Sequence, residues 1–337
     1  MKKIIKQIQK YKKQYEKQPL NQNAKPVDRK EFTLLLGGIS ACRKMPGVNE
    51  HMGYEELYHC TNPEDIQKGR NHLQQVFGVK DKESLMAACY QLYPGSEQYE
   101  QFMTFWRGAP LFALEELNEN GREGFLYCKQ LAELFYPIVE EKGFYAWDIN
   151  ERIGLCRNAA VCEIITDEEF WEITDVWVRQ AQVFYHSYFE YGMSCLCGAI
   201  YEMAQHEEDV QSFLEINRNL LDNLLGEGGA WNRNQWYTPK EREWASLLKN
   251  NLGCLVTKRA LEEGIGYMYR EEPCANQPDS GWRFFVGDEP EEYVNNSDNI
   301  QVCGLNTICN LHPDIMPYIY AEMGRSFGRR KNGWVEE

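Results

Sequence analysis

The sequence predicts a multidomain α and α+β protein, in which a mostly helical N-terminal and central domain precedes a small α+β domain with a short, mainly antiparallel sheet. A chain of 337 residues can bury more than one core. From Phe32 onward apolar residues recur at helical spacing, whereas after Asn251 short apolar runs alternate with glycine, proline and asparagine. Four segments are therefore predicted: a basic helical arm with a linker (1–30), an all-α domain (31–236), a connecting helix (237–251) and the α+β domain (252–337).

The first 17 residues are predicted to form a basic amphipathic helix. Ile4, Ile5, Ile8, Tyr11 and Tyr15 recur at helical spacing, with lysines between them. Because this apolar stripe is short, we expect a solvated arm rather than an anchor on a membrane surface. The polar stretch QPLNQNAKPVD that follows predicts a linker.

Central helices carry their own start and stop signals. Thr166 stands three residues before Glu169, and Ser187 stands three before Glu190, which is the spacing of a capping box. The glycines of GEGG, residues 226–229, supply the left-handed geometry that ends a helix. These signals predict two helix starts and one helix end inside the all-α domain.

The remaining elements are predicted from turn residues and short apolar runs. Thr238, Pro239 and Glu241 occupy the cap, first and third positions of the connecting helix. After it, CLVT, IGYMYR, WRFFV and NIQVCGL are typical of strands. One helix is expected from about Pro313 to Met323.

The charge is unevenly distributed along the chain. The total is −15, and counting along the sequence gives +8 for residues 1–30, −17 for residues 31–251 and −6 for residues 252–337. A body this acidic repels phosphate backbones, so we expect no nucleic acid as a partner.

Composition also bears on the compartment. No apolar run approaches the roughly 20 residues of a membrane-spanning helix, and the lysine-rich start lacks the apolar core of a signal peptide. The twelve cysteines show no framework spacing and no CxxC pair, which is typical of reduced, buried thiols. We therefore expect a cytoplasmic protein without a membrane span.

Residues 143–202 carry the motifs of a first resemblance. They contain Trp147, Asp148 and Arg152, then the turn and helix IITDEEFW, and then HSYFEYGMSCLCG. With the earlier stretch GVKDKESLMAACYQLYPGSEQYEQF, this region resembles domain-of-unknown-function family 1266 over roughly residues 31–205. Tyr188 stands where that family often has tryptophan.

The closing region carries a second resemblance. Its blocks are Tyr-Arg-Glu at 269–271, Asp-Ser-Gly-Trp-Arg-Phe at 279–284 and Gly-Asp-Glu at 287–289, followed by NIQVCGLNTICNLHPDI. These resemble domain-of-unknown-function family 2185, also described as immunity protein family 33 of bacterial toxin systems, over residues 252–337. The resemblance implies a small intracellular bacterial binding protein that protects the cell producing the toxin.

The stretch from Tyr269 to Tyr293 concentrates charged and aromatic residues. Asp279, Ser280 and Gly281 are typical of a turn, and alternation along the next strand sends Trp282 and Phe284 to one face. An aromatic residue beside arginine with surrounding carboxylates is the composition of an interface anchor with a charged rim, although Trp282 fits a plain core position equally well. The predicted binding residues are Tyr269, Arg270, Glu271, Asp279, Ser280, Trp282, Arg283, Asp288 and Glu289.

Catalysis by the same stretch is an alternative. Paired carboxylates perform acid and base chemistry when an apolar setting raises one pKa, and the candidates are Glu271, Glu272, Asp279, Asp288 and Glu289. The stretch contains no histidine and no constellation of nucleophile and base, so we expect no catalytic residue there. No metal site or cofactor is predicted, because neither these acids nor Cys303, Cys309 and His312 have ligand spacing.

A secondary polar site is predicted in the helical domain at Trp147, Asp148, Arg152 and Arg157. Asp148 and Arg152 are four residues apart, so they form either an ion pair on one helix face or a polar pocket for an anion or a peptide carboxylate. A scaffold that binds through this helical domain is a further alternative. The sequence favours a non-enzymatic protein-binding module, with a basic toxin domain as the expected partner, and leaves the oligomeric state open.

Overall fold

The computed structural model describes residues 1–17, 21–90, 117–205, 209–331 and 333–337, and these form two compact units. The first contains residues 1–17, 21–90, 130–205 and 209–245, and the second contains residues 117–129 and 246–337 without 332. Linker positions 18–20 and residues 91–102 of the first resemblance lie outside the described residues. The prediction of a helical domain followed by a small α+β domain is confirmed.

Helices account for the regular structure of the first unit. Their bounds are α1 Lys2–Tyr15, α2 Arg29–Leu36, α3 Gly38–Cys42, α4 Pro63–Phe77, α5 Lys82–Tyr90, α6 Glu119–Val139, α7 Tyr145–Val161, α8 Asp167–Phe184, α9 Tyr188–Gln205, α10 Val210–Leu225 and α11 Ala230–Arg233. The early turns of α6 fall in the second unit and its later turns in the first, and a 3₁₀ turn at Glu140–Lys142 follows it.

Helix α7 forms the centre of this unit. Small and apolar residues surround it on most sides, and Ile153 and Cys156 are completely buried. Helices α8 and α9 both pack against it, and Trp177 of α8 and Ile200 of α9 are completely buried. A helix whose side chains are buried on nearly every side needs neighbours on several sides, which explains the central position of α7.

The first helix differs from the predicted solvated arm. Ile4, Ile8 and Tyr11 are buried, and α1 packs against α10. The hydroxyls of Tyr11 and Tyr15 both donate hydrogen bonds to Asp222, at 2.9 and 2.5 Å. The short apolar stripe is therefore part of the core of the unit, and only the lysine face is solvated.

The predicted helix boundaries are confirmed at three places. Thr166 and Glu169 form a capping box at the start of α8. The Ser187 hydroxyl accepts from the Glu190 N–H at 3.2 Å, while the Glu190 carboxylate accepts from the N–H of His186, one residue earlier than in a capping box. Helix α10 ends at Leu225, directly before the predicted glycines. The predicted left-handed cap is wrong, because the capping Gly226 is extended at φ −67° and ψ 172°, and the glycine at positive φ in this stretch is Gly228, at +76°.

The predicted connecting helix at 237–251 is wrong. These residues form no helix, and the buried side chains of Ala245 and Leu247 alternate as in extended chain. The Leu247 N–H donates to the Asn306 side chain at 2.8 Å rather than to a carbonyl one helical turn earlier. The sequence carries a helix start at Thr238 but no apolar stripe at helical spacing behind it, so tertiary contacts decide the conformation.

The second unit is built on one six-stranded mixed sheet. Its strands are β1 Gly253–Thr257, β2 Tyr267–Arg270, β3 Asp279–Phe285, β4 Ile300–Gly304, β5 Ser326–Arg330 and β6 Gly333–Glu336, in the order β4-β1-β3-β2-β5-β6. Only β1 and β3 are parallel. The four predicted strands are confirmed, whereas the sequence analysis missed β5 and β6.

Short helices connect and cover these strands. They are α12 Lys258–Glu263, α13 Glu291–Val294 and α14 Leu305–Leu311, with 3₁₀ turns at Ser297–Asn299 and Pro313–Tyr318. The helix expected at 313–323 is only the last of these turns, because Pro317 cannot donate an α-helical hydrogen bond. No helix in the described part of the chain is long and apolar enough to cross a membrane.

Candidate functional site

A bulge in β3 determines the arrangement of the predicted binding residues. Gly253 pairs with Asp279 and Leu255 with Arg283, so two steps along β1 correspond to four along β3. Gly281 lies inside this interval with φ +79°, and a Cβ atom there would be 2.2 Å from the Glu271 carbonyl oxygen. Asp279 accepts from the N–H groups of Gly281 at 3.0 Å and Cys274 at 3.1 Å, which confirms the predicted turn chemistry.

Arg283 is buried at the centre of an ion-pair network. It donates to both carboxylate oxygens of Asp279 at 2.9 and 2.7 Å and to Glu271 at 2.5 Å. Hydrogen bonds from Arg283 lower the pKa of Asp279 well below its ordinary range, and the two carboxylates raise the pKa of Arg283. Because every charge is paired, the network holds the sheet surface rigid.

Other predicted residues join elements together. Arg270 donates to the carbonyl oxygens of Ser280 at 3.3 Å and Ala321 at 2.6 Å. The Ser280 hydroxyl donates to the Gly253 carbonyl at 2.7 Å, which links β3 to the start of β1. These side chains hold the bulge and its neighbouring loop in place.

Trp282 belongs to the core rather than to the surface. It is completely buried, stacks with Phe284 at 5.9 Å between ring centroids, and donates its indole N–H to the Ile319 carbonyl at 3.0 Å. The predicted alternation is confirmed, because Arg283 and Phe285 lie on the opposite face of β3. Trp282 therefore supports the sheet from beneath and is not itself presented to a partner.

The opposite side of the sheet carries rings that are only half-buried, and we call it the open face. The rings of Tyr269 and Phe285 are stacked at 5.6 Å with an interplanar angle of 8°, and Tyr267 lies 6.2 Å from each of them. Strand register adds apolar side chains on both sides, so the open face consists of Leu255, Tyr267, Tyr269, Phe285, Val302 and Val335 around Arg283. Val302 is 72% exposed and Val335 48%.

The carboxylates of Glu289 and Asp288 make separate contacts near the end of β3. Glu289 accepts from the Thr257 hydroxyl and from the N–H groups of Val286 and Gly287, at 2.7 to 2.8 Å. These hydrogen bonds outweigh burial and lower the pKa of Glu289. Asp288 is exposed and pairs with Arg259 at 3.0 Å. A general acid needs a raised pKa, and the pKa values of Asp279 and Glu289 move in the other direction.

Three of the four secondary residues share a cavity in the first unit. Trp147, Asp148 and Arg152 line a cavity of about 380 Å³ together with Glu151. Burial raises the pKa of Asp148 to about 6, opposed by Arg152. No hydrogen bond or ion pair from the described residues reaches the Asp148 carboxylate, so the expected intra-helix ion pair with Arg152 is not formed.

Arg157 lies apart from this cavity. It is completely buried and donates to the carbonyl oxygens of Leu34, at 3.1 Å, and Gly53. Burial lowers the pKa of Arg157 to about 10. Its role is to bind backbone carbonyls inside the unit. Among the described residues, no three histidine, cysteine, aspartate or glutamate side chains are grouped to hold a metal ion.

Sequence reasoning missed several residues of both sites. Tyr267, Phe285 and Leu255 belong to the predicted strands, and their alternation with buried neighbours was the available signal. Arg43 and Glu202 join the cavity from helices distant in sequence, and no local pattern indicates that contact.

Two comparisons with known families match separate parts of the chain. The family model described as "Immunity protein Imm33 domain" matches residues 254–337, and the one described as "Protein of unknown function (DUF1266)" matches residues 72–236. Both resemblances are thereby confirmed, although the DUF1266 match begins and ends later than the expected range of 31–205. No curated protein and no solved structure matches the chain.

Proposed function

We propose that the protein is a bacterial immunity protein that neutralises a toxin or effector domain by stoichiometric binding in the cytoplasm, through the open face and without catalysis. The observation that carries this proposal is the coincidence of the Imm33 match with a sheet surface whose aromatic rings remain uncovered by the described elements of the second unit. A contiguous patch of large apolar side chains on a soluble domain is typical of an interaction site.

The chemistry of the open face suits a protein partner. Stacked tyrosine and phenylalanine rings supply rigid contact area with little loss of side-chain entropy on binding, and Tyr267 and Tyr269 also carry hydroxyl groups for hydrogen bonds. Arg283, fixed by Asp279 and Glu271, keeps the surface beneath a partner from rearranging. Such preorganisation lowers the entropic cost of association.

Charge favours a basic partner. Residues 252–337 carry fourteen acidic and eight basic side chains, a balance of −6. Glu271 directly follows β2 and Asp288 lies three residues after β3, and both carboxylates are exposed. Carboxylates around an aromatic centre accelerate encounter with a positively charged domain and disfavour nucleic acid.

The test combines capture with protection. The full-length chain is used as bait in lysate of the producing cell, and each captured protein is expressed alone and together with the chain. The proposal requires a captured domain that arrests growth, a one-to-one complex with it, and recovery of growth on co-expression. A captured protein that is harmless, or whose toxicity the chain leaves unchanged, contradicts the immunity role.

A substitution pair locates the contact surface. Tyr269→Lys places a positive charge within the open face, and we expect at least about 100-fold weaker binding because a hot-spot ring is lost and a like charge is added. Met323→Lys places the same charge on an exposed apolar side chain outside the face and should bind as the original chain does. If the two variants weaken binding equally, the open face is not the contact surface.

The same material separates the alternatives. An enzyme acting through the carboxylates would turn over a substrate and lose that turnover in Glu271→Gln, whereas a binder titrates to a fixed stoichiometry. A scaffold that binds through the helical domain would retain the partner after truncation at Asn251. The proposal expects no turnover and complete loss of binding on truncation.

A further inference from the structure

The cavity beside α7 has a polar wall made by one face of that helix. Trp147, Asp148, Glu151 and Arg152 are spaced so that their side chains fall on the same side, and Glu202 of α9 closes one end. At about 380 Å³ the cavity has the size of a site for a small molecule. All of its described lining residues belong to the first unit.

Some of the charges in the wall are already paired. Arg43 donates to both oxygens of Glu151 at 2.8 and 2.9 Å and lies over the Trp147 ring at 5.0 Å. The Trp147 indole N–H donates to Glu202 at 2.7 Å. These contacts fix the wall, so its remaining groups keep their positions without a ligand.

Two charged groups in the wall remain without partners among the described residues. The side chain of Arg152 is only 7% exposed, and its Nε donates to the Cys89 carbonyl, while Nη1 and Nη2 reach no acceptor there. The Asp148 carboxylate likewise receives no hydrogen bond. The terminal nitrogens of Arg152 and the Asp148 carboxylate are not sealed off from the cavity, so a ligand there can reach both groups. The cavity thus presents one cation and one anion without partners among the described residues, one helical turn apart.

The rest of the lining combines apolar and polar side chains. Met45, Val48, Leu73, Phe77 and Leu155 are apolar, whereas Ser40, Asn49, His72 and Asn158 are polar. A ligand that fits this lining has a hydrocarbon part, and the two charged groups require a carboxylate and an ammonium close together.

We propose that this cavity binds a free α-amino acid with an apolar side chain. The terminal nitrogens of Arg152 bind its carboxylate, Asp148 binds its ammonium group, and the side chain contacts the apolar lining. A peptide terminus carries only one of the two charges, so the geometry favours the free amino acid. The proposal is independent of the immunity role, because it concerns only the helical unit.

The experiment measures thermal unfolding and calorimetric binding of the full chain with L-leucine, L-methionine and L-phenylalanine. At least one should bind saturably and raise the melting temperature. Its N-acetyl derivative, which lacks the ammonium, and its methyl ester, which lacks the carboxylate, should each bind about 10- to 100-fold more weakly, since each loses a charged hydrogen bond. These ligand changes need no altered protein, so misfolding cannot explain them.

Asp148→Asn tests the site itself, because asparagine keeps the shape and removes the charge. We expect the same 10- to 100-fold loss of affinity, while Asp209→Asn, which alters an exposed helix cap in the same unit, should bind normally. Absence of binding by all three amino acids at millimolar concentration overturns the proposal. Binding that is unchanged by acetylation or by Asp148→Asn overturns it as well.

Discussion

Arg283 and Asp279 form a two-point ion pair, at 2.9 and 2.7 Å, although both belong to the same β-strand and are four residues apart. In a regular strand four residues span about 13 Å. The bulge around Gly281 folds the strand back far enough for the pair to form. The open face therefore depends on a local backbone conformation that only glycine adopts readily.

Gly281→Ala should destabilise the second unit by about 2–4 kcal/mol, because alanine is strained at positive φ and its Cβ would meet the Glu271 carbonyl oxygen. Urea unfolding monitored by tryptophan fluorescence measures this change. Gly264→Ala is the matched control: its φ is also positive, at +101°, but no atom lies within 4 Å of the added carbon. Equal losses in both variants would show that steric contact at 281 contributes nothing.

Asp279→Asn should cost about 3 kcal/mol of unfolding free energy, since it leaves buried Arg283 with only Glu271 as a charged partner. Glu271→Gln should cost less than about 1 kcal/mol, because that carboxylate is 47% exposed and screened by water. Chemical unfolding at neutral pH compares the two. A larger effect at Glu271 would contradict the assignment of Asp279 as the main partner.

The same ion pair predicts how acid acts on the second unit. Arg283 depresses the pKa of Asp279 in the folded state, so the stabilisation exists above the unfolded pKa and is lost as the pH falls through the folded pKa. Unfolding measured from pH 7 into the acid range should show this loss, and Asp279→Asn should flatten it. An unchanged acid dependence in that variant would exclude the pair as its cause.

Asp148 should have the opposite effect on stability. Burial raises its pKa to about 6 in the folded state, so the folded chain binds this proton more tightly, and stability declines as the pH rises from about 4 through 6. Arg152, Glu202 and Glu151 act on its pKa, and His72 on α4 and Arg43 after α3 are the other charged or titratable groups that line the same cavity, apart from the Cys162 thiol.

Asp148→Asn removes that titration and should stabilise the chain at pH 7 by about 1–2 kcal/mol, less than the full shift implies because the carboxylate is partly exposed to the cavity. Melting temperatures across this pH range, with Asp209→Asn as control, provide the measurement. If Asp148→Asn destabilises the chain at pH 7, burial of the charged Asp148 carboxylate does not cost stability as we expect.

Thiol labelling tests the state of the cysteines. The described residues form no disulfide bond, and of the twelve cysteines only Cys274 is exposed. Burial raises the pKa of others such as Cys162, to about 11, which keeps them in the unreactive thiol form. In the folded chain a maleimide reagent should label one cysteine rapidly, and in folded Cys274→Ser it should label none at that rate. After denaturation it should label all twelve cysteines of the original chain. Fewer than twelve in the denatured, unreduced chain would indicate disulfides.

The sequence predicted the fold class well where local patterns carry the information. Capping residues at Thr166 and Ser187 and the alternation around Trp282 are set by neighbours within a few residues. The turn at Asp279 was predictable for the same reason. Its ion pair with Arg283 was not, because it depends on the bulge that pairing with β1 creates.

The failures have a common physical origin in long-range contacts. Helix signals at Thr238 were overridden because Leu247 finds its hydrogen-bond partner at Asn306. The arm was expected in solvent because nothing near Ile8 in the sequence indicates its contact with α10. Trp282 could be read as core or interface, and only the packing of β3 distinguishes them.

The pairing of α1 with α10 has a consequence during synthesis of the chain. Tyr11 leaves the ribosome 211 residues before Asp222, its hydrogen-bond partner. Until that later helix emerges, the isoleucines of α1 have no native surface to cover them, and a 14-residue helix is marginal on its own. The lysines between these isoleucines keep the segment hydrated until then, and their like charges keep copies of it apart. Helix α1 is thus synthesised long before the helix that completes its packing.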